Sequence, residues 1–305
     1  MSDRRDRLDA LAIALLLACS ALWGVNQVAT KVALVEIPPL LQAAARSVGA
    51  ALLLWAWSHW RGVALWQRDG TLPGGLLAGV LFALEFGCIF VGLQYTTASR
   101  MVVFIYLAPF VVALGMPLIS ASERLDRWQA LGLLLAFAGV VSAFAEGLGN
   151  RGSASHQWWG DALGVAGAVL WGMTTLVMRA TRLAHVAPEK TLLYQLAVSG
   201  LVLALAAAVS GEVWPAQVSA RSLAALGFQT VIVTFASYLV WFWLVRHYPA
   251  TRISAFTLLT PVFGLLAGVG LLGEPLTLRL GVALVAVCAG IWLVNRVRPA
   301  GQRQR

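Results

Sequence analysis

Two ionisable side chains stand inside long apolar runs. Glu85 lies near the middle of residues 73–95, and Arg46 lies about two turns into residues 40–60. A charge at membrane depth costs at least about 3 kcal/mol on insertion scales, so each group needs a cavity, a partner or, for the carboxyl, a proton. A carboxylate there can meet a cationic or zwitterionic small molecule, or titrate. A guanidinium can hold a carboxylate through parallel N–H donors. Gln42 precedes Arg46 by four residues and shares its helix face. The two charges sit at comparable depth, so a bundle-stabilising ion pair between them is the other reading.

More candidates come from an internal duplication. Leu22-Trp23-Gly24, with Lys31 following, returns as Leu170-Trp171-Gly172 with Arg179 following, an offset of 148 residues. Ala98, Arg100, Phe104 and Pro109 return 152 residues later as Ala250, Arg252, Phe256 and Pro261. Glu123, Leu125 and Gly139 return 151 residues later as Glu274, Leu276 and Gly290. Trp23 and Trp171 are deep and symmetry-related, so they either line a central pathway, stacking on aromatic or cationic groups, or fill space between helices. Asn26 and Thr174 follow them by three residues, and Gln27 and Thr175 come next. Tyr106, Tyr238, Thr257 and Thr260 add hydroxyls at membrane depth. Ser237 takes the Glu85 position in the second copy, and Gln195 and Ser199 take the stripe of Gln42. The charges therefore belong to the first copy alone. Pro109 and Pro261 each remove a backbone donor mid-span, giving a hinge or a static kink.

Catalytic constellations are absent from the sequence. It has no HExxH, no Gly-x-Ser-x-Gly, no Walker sequence and no pair of membrane-depth aspartates, so an enzyme is not expected. His59, His156, His185 and His247 fall at span ends or in loops. Cys19, Cys88 and Cys288 lie in apolar runs without metal-ligand spacing and read as packing residues. No metal and no cofactor are expected. Without a nucleotide-binding loop, active transport would be ion-coupled or exchange-driven.

The elements that must position these residues are membrane helices. Of 305 residues, 60% are hydrophobic and only 11% charged, with mean hydropathy +0.80, which excludes an ordinary soluble domain. Ten apolar stretches of spanning length run at about 8–31, 40–60, 73–95, 99–119, 128–146, 160–180, 191–210, 222–245, 252–272 and 278–295. The fold expected is all-α and polytopic, with ten transmembrane helices in two five-helix repeats. An odd number of spans per repeat inverts the second copy relative to the first, a geometry characteristic of transporters.

Most Lys and Arg, among them Arg4, Arg5, Arg7, Arg61, Arg68, Arg124, Arg127, Arg296 and Arg298, fall on one side if the N-terminus is inside, which places both termini in the cytoplasm. The net charge of +9 then serves anionic lipid rather than nucleic acid. Leu16-Leu17-Ala18-Cys19 resembles a lipoprotein cleavage site, but the apolar run continues past it, and the segment reads as a retained helix. Eleven of the thirteen tryptophans, Trp57 and Trp241 among them, fall near span ends as aromatic belts. Small-residue pairs four apart, such as Gly75 and Gly79, allow close helix approach. Glu123 and Glu274 precede the last helix of each repeat and read as structural, favouring that helix's N-terminus.

Leu-Trp-Gly followed by Asn26 and Lys31, Ala98-Ser99-Arg100 followed by Pro109, and Gly273-Glu274-Pro275-Leu276 resemble, as an ordered and duplicated set, the EamA-type drug/metabolite transporters. Within that family the chain is most similar to YddG-type amino-acid exporters. The first repeat departs from the pattern, with Ser122-Glu123-Arg124 where the second has Gly-Glu-Pro. The resemblance implies repeats at 1–147 and 160–298, a basic tail at 299–305, a bacterial inner-membrane location and a central cavity built by the first four helices of each half. It implies export of aromatic and other neutral amino acids, or similar amphiphilic metabolites, by alternating access. Cationic drugs or nucleotide-linked metabolites are the alternative cargo, and a non-transporting scaffold the alternative class. Partners expected are the substrate and the bilayer, with proton coupling open, no nucleic acid, and a monomer or homodimer.

Overall fold

A computed structural model describes residues 7–92, 95–96, 98–143, 157–272 and 278–295. The tail at 299–305, Glu274 and the side chains of Gln27, Lys31 and Arg100 lie outside the described residues. Every regular element among the described residues is helical. The main helices are α1 (Ala10–Leu34), α2 (Pro39–Trp60), α3 (Leu72–Gly92), α4 (Ala98–Ile105), α5 (Ala108–Ile119), α6 (Arg127–Ala143), α7 (Gln157–Ala180), α8 (Pro188–Val209), α9 (Ala220–His247), α10 (Ala250–Phe256), α11 (Leu259–Leu272) and α12 (Leu278–Asn295). Six of them, α1, α2, α3, α7, α8 and α9, are long and apolar enough to cross a membrane.

Local chemistry sets the helix ends. Asp9 caps α1, accepting from Ala12 N at 2.8 Å. Proline opens both α2 and α8, where its missing donor costs nothing. Both helices end at a left-handed glycine: Gly62 (φ 66°) after α2 and Gly211 (φ 71°) after α8. The following amide then reaches back to the helix, Val63 N to Ser58 O at 2.8 Å and Glu212 N to Ala207 O at 2.9 Å. The duplication thus extends to the caps.

The fourth and ninth apolar stretches depart from the sequence expectation. Each is two helices, α4 and α5 or α10 and α11, broken at residues 106–107 and 257–258, in the turn before the proline, rather than kinked at it. Pro109 and Pro261 have no N–H for the carbonyls of Ile105 and Thr257. Tighter turns fill the breaks, with Leu107 N donating to Phe104 O at 3.1 Å and Leu258 N to Ala255 O at 3.2 Å.

Equivalent helices of the two repeats run antiparallel. The N-terminus of α2 meets the loop after α8, where the Glu212 carboxylate accepts from Leu40 N (3.3 Å) and Leu41 N (2.8 Å). At the other end of the same pair, Lys190 near the start of α8 donates to Asp69 Oδ2 at 2.8 Å, in the loop after α2. Likewise Gln129 at the start of α6 donates to Val294 O near the end of α12, at 2.9 Å. Packing follows the exchange of halves: α1 lies on α9 and α11, and α7 lies on α3 and α5. At both crossings a glycine lets the helices close. A β-carbon on Gly24 would fall 2.6 Å from Gly264 N, and one on Gly172 would fall 2.5 Å from Val111 Cβ.

Inside α9, residues Phe228–Ser237 form a π-helical stretch with the wider i→i+5 repeat. It turns Gln229, Val233, Thr234 and Ser237 into the protein.

Candidate functional site

Four helices bring the central side chains together. Trp23 on α1 donates its indole N–H to Ser237 Oγ at 2.8 Å, and that hydroxyl donates to Val233 O at 2.6 Å. One turn earlier, Cys19 packs in the same seam with its Sγ 3.7 Å from Ser237 O. The Trp23 ring meets Tyr238 and Trp241 edge-on, with centroids 6.0 and 5.3 Å apart. Trp241, expected in an interfacial belt, is instead buried against Trp23, one turn beyond the π stretch.

The first repeat supplies the charges. Arg46 is 2% exposed, and its guanidinium lies over the Phe86 ring, 3.9 Å from its centroid, and 5.8 Å from that of Phe90. Glu85 on α3 is 6% exposed. Arg46 and Tyr106 each lie within electrostatic range of both Glu85 and Tyr238. The expected direct ion pair between Arg46 and Glu85 does not form. Nε and Nη2 of Arg46 and Oε2 of Glu85 are buried without hydrogen-bond partners. Phe86, next to Glu85 in sequence, takes the guanidinium face. Phe86 itself leans on Phe82 (4.8 Å), and Phe82 on Tyr238 (6.0 Å), closing an aromatic wall between the halves.

Trp171, the counterpart of Trp23, meets Tyr106 edge-on at 5.8 Å. The other candidates are spread around this centre. Gln42 is drawn away from Arg46, donating to Gln229 Oε1 at 3.0 Å while Thr30 donates to the same oxygen at 3.3 Å. Gln195 reaches Met178 Sδ at 3.2 Å and leaves Oε1 unpartnered. Asn26 Oδ1 is also unpartnered. Thr174 and Thr257 turn back on their own helices, donating to Leu170 O (2.9 Å) and Ser254 O (2.7 Å). Gln229 and the Phe82–Phe86–Phe90 wall were missed in the sequence reading. An i, i+4, i+8 phenylalanine row opposite a buried arginine is the signal that could have found the wall.

A second polar centre occupies the end at which α1 begins. Glu123 accepts from Arg179 Nη2 at 2.7 Å and from Thr251 N and Oγ1 at 3.2 and 3.4 Å. Arg179 also donates to Val245 O at 2.9 Å. The expectation that Glu123 serves the N-terminus of α6 is corrected. Asp126 and Gln129 cap that helix reciprocally, at 2.8 and 3.1 Å, which leaves Glu123 for α7 and α10. Tyr248, fully buried, donates to Asp9 Oδ2 at 2.9 Å and ties α9 to the start of α1. In the adjoining loop, Lys190 and Thr71 hold Asp69 well below the usual carboxylate range, the lysine hydrogen bond being the larger cause. At the opposite end, Glu36 accepts from Ser219 N at 2.7 Å and is likewise held low.

Two antiparallel copies of one helical unit, enclosing unpaired ionisable groups and an aromatic wall at mid-bundle, define a transporter rather than an enzyme. The EamA-like transporter family matches residues 10–145 and again 158–296, and the chain belongs to that family. An uncharacterized transporter of Bacillus subtilis, YvbV, is 30% identical over 92% of this chain and 91% of its own length. A probable amino-acid metabolite efflux pump of Salmonella typhimurium is 26% identical over 89% and 90%. An uncharacterized inner membrane transporter of Escherichia coli, YedA, is 24% identical over 89% and 88%. A solved crystal structure, 19% identical, superposes with a TM-score of 0.79 over 92% of this chain and 94% of its own, which shows a shared fold.

Proposed function

We propose that the protein exports amino acids, aromatic and other neutral ones, or similar small amphiphilic metabolites across a bacterial inner membrane by alternating access. The observation that carries this reading is Arg46: a guanidinium, charged at any physiological pH, buried on Phe86 with two nitrogens unpartnered and Glu85 unpaired nearby. A buried charge without a protein partner is costly, so these groups suit a ligand that brings one. A zwitterion offers a carboxylate to Arg46 and an ammonium to Glu85, and the aromatic wall suits an apolar side chain. The relatives named as an amino-acid metabolite efflux pump and an inner membrane transporter support the same reading.

In this reading the chain crosses the membrane ten times, with both termini cytoplasmic. The α4–α5 and α10–α11 breaks beside Pro109 and Pro261 serve as hinges. Trp23, Trp171, Tyr106, Tyr238, Asn26 and Gln195 line the path, while Gln42, Thr174 and Thr257 shape it through their helices. Counterflow of labelled amino acids into proteoliposomes tests the assignment. Uptake of an aromatic amino acid that is lost in Arg46→Gln supports it; no counterflow of any amino acid removes it.

A further inference from the structure

The central seams of the two halves are built alike but bonded differently. Cys19 and Trp23 on α1 face Ser237 on α9; of their counterparts on α7, Gly167 faces the Glu85 backbone on α3, and Trp171 follows it by one turn. The correspondence holds at the backbone. Ser237 O lies 3.7 Å from Cys19 Sγ, and Glu85 O lies 3.7 Å from the position a β-carbon on Gly167 would take. Yet only Trp23 is bonded. Its N–H sits on Ser237 Oγ at 2.8 Å, whereas among the described residues the Trp171 N–H makes no hydrogen bond and Glu85 Oε2 is buried without a donor. Trp171 rests against Tyr106 at the α4–α5 break instead.

Inverted repeats exchange conformations when a carrier changes the side to which it opens. The bond now made in one seam should then be made in the other. We infer that Trp171 N–H and Glu85 form the mirror of the Trp23–Ser237 bond in the opposite-facing state, so that Trp171 is a positioning residue for Glu85. The structure holds the Trp23 latch together with the bonds of Glu123 to Arg179 and Thr251 at the end where α1 begins. Opening that end releases Trp23 and engages Trp171. Resting on the amino-acid reading, this also assigns Glu85 two successive partners: the ammonium of the cargo, then the indole N–H that takes its place.

The test uses Ser254, buried one turn inside Thr251 on α10. In a background with Cys19, Cys88 and Cys288 replaced by alanine, S254C is labelled by an impermeant maleimide added on the side where α1 begins. Trp23→Phe and Ser237→Ala each remove the present latch and are expected to speed labelling about fivefold, the scale of one neutral hydrogen bond. Trp171→Phe and Glu85→Leu remove the mirror latch and are expected to slow it by a similar factor. Glu85→Gln keeps an accepting oxygen and should label like the parent while losing counterflow. The pair Trp23→Phe, Trp171→Phe should return near the parent rate. Trp171→Phe labelling at or above the parent rate overturns the inference, as does a Glu85→Gln rate matching Glu85→Leu. Labelling needs no substrate, so failure of amino-acid counterflow alone removes the cargo assignment and leaves the latch to be judged by these rates.

Discussion

At the end where α1 begins, Glu123, Arg179 and Thr251 satisfy one another across three helices; at mid-bundle, Arg46 and Glu85 are just as buried and remain unmatched. The first region uses charge to fix helices in place. The second tolerates charge without fixing it, which is the condition for binding something that must leave again. Burial of an ionisable group is common to both, so burial alone does not mark the working site. The distinction lies in whether the chain itself supplies the partner.

Changing each region separately should therefore give different kinds of loss. The largest effect is expected from Arg46→Gln, which removes a charge-assisted contact to the cargo carboxylate and should reduce counterflow by about 10- to 100-fold. The folded fraction in detergent should stay near that of the parent, because no protein group loses a hydrogen bond and only the stacking on Phe86 is given up. Unimpaired counterflow would place Arg46 with the structural charges and erase the contrast.

Next comes Arg179→Gln, which takes the Arg179 guanidinium from the buried Glu123 carboxylate. A loss of about 3 kcal/mol in denaturant unfolding is expected. The joint change Arg179→Met with Glu123→Leu should recover most of it, since replacing both partners removes the uncompensated charge. If the double variant is as unstable as the single one, the pair contributes through hydrogen bonds to Thr251 and Val245 rather than through charge.

Asp69→Asn probes an ion pair at the protein surface and should act through pH. Lys190 and Thr71 depress the folded-state pKa of Asp69, so its contribution is present above the ordinary carboxylate range, near 4, and fades as pH falls through the folded value. The melting-temperature gap between parent and Asp69→Asn should be constant from pH 7 to 5 and close below about pH 4. A gap that widens on acidification would show the sign to be wrong. The smallest change expected is Gln229→Leu, which removes the acceptor shared by Gln42 and Thr30. Interhelical hydrogen bonds of this type average about 0.6 kcal/mol, and unfolding in detergent should register a loss of that order.

The symmetric parts of the molecule were legible because duplication is a linear property. Trp23 with Trp171, and Pro109 with Pro261, could be paired by counting, and the structure places each pair at equivalent crossings or breaks. Glu85 and Arg46 were legible as membrane-depth charges, but not their relation. Adjacent depth suggested an ion pair, and the choice of Phe86 as the surface for the guanidinium depends on side-chain directions that spacing does not determine. Glu123 was misjudged for a related reason. Its helix-proximal position explained it adequately, while its true partners, Arg179 and Thr251, are 56 and 128 residues away. The π stretch of α9 has no pattern of residue types that distinguishes it from an ordinary span. Gln229 lies within that stretch and Trp241 one turn beyond it, and both face inward where span position alone placed them otherwise or not at all.

The carboxylate that caps α2 has a consequence for how the chain is made. Leu41 N waits for Glu212, 171 residues further along. At synthesis rates of roughly 5–20 residues per second, α2 spends on the order of ten to thirty seconds at the ribosome and translocon with that amide unmatched. Lys190 closes on Asp69 in the same interval from the opposite direction. The first half therefore emerges with its second helix unfinished and is completed only when the second half arrives. A chain stalled between α6 and α7 would present a distinct, uncapped α2 to quality control.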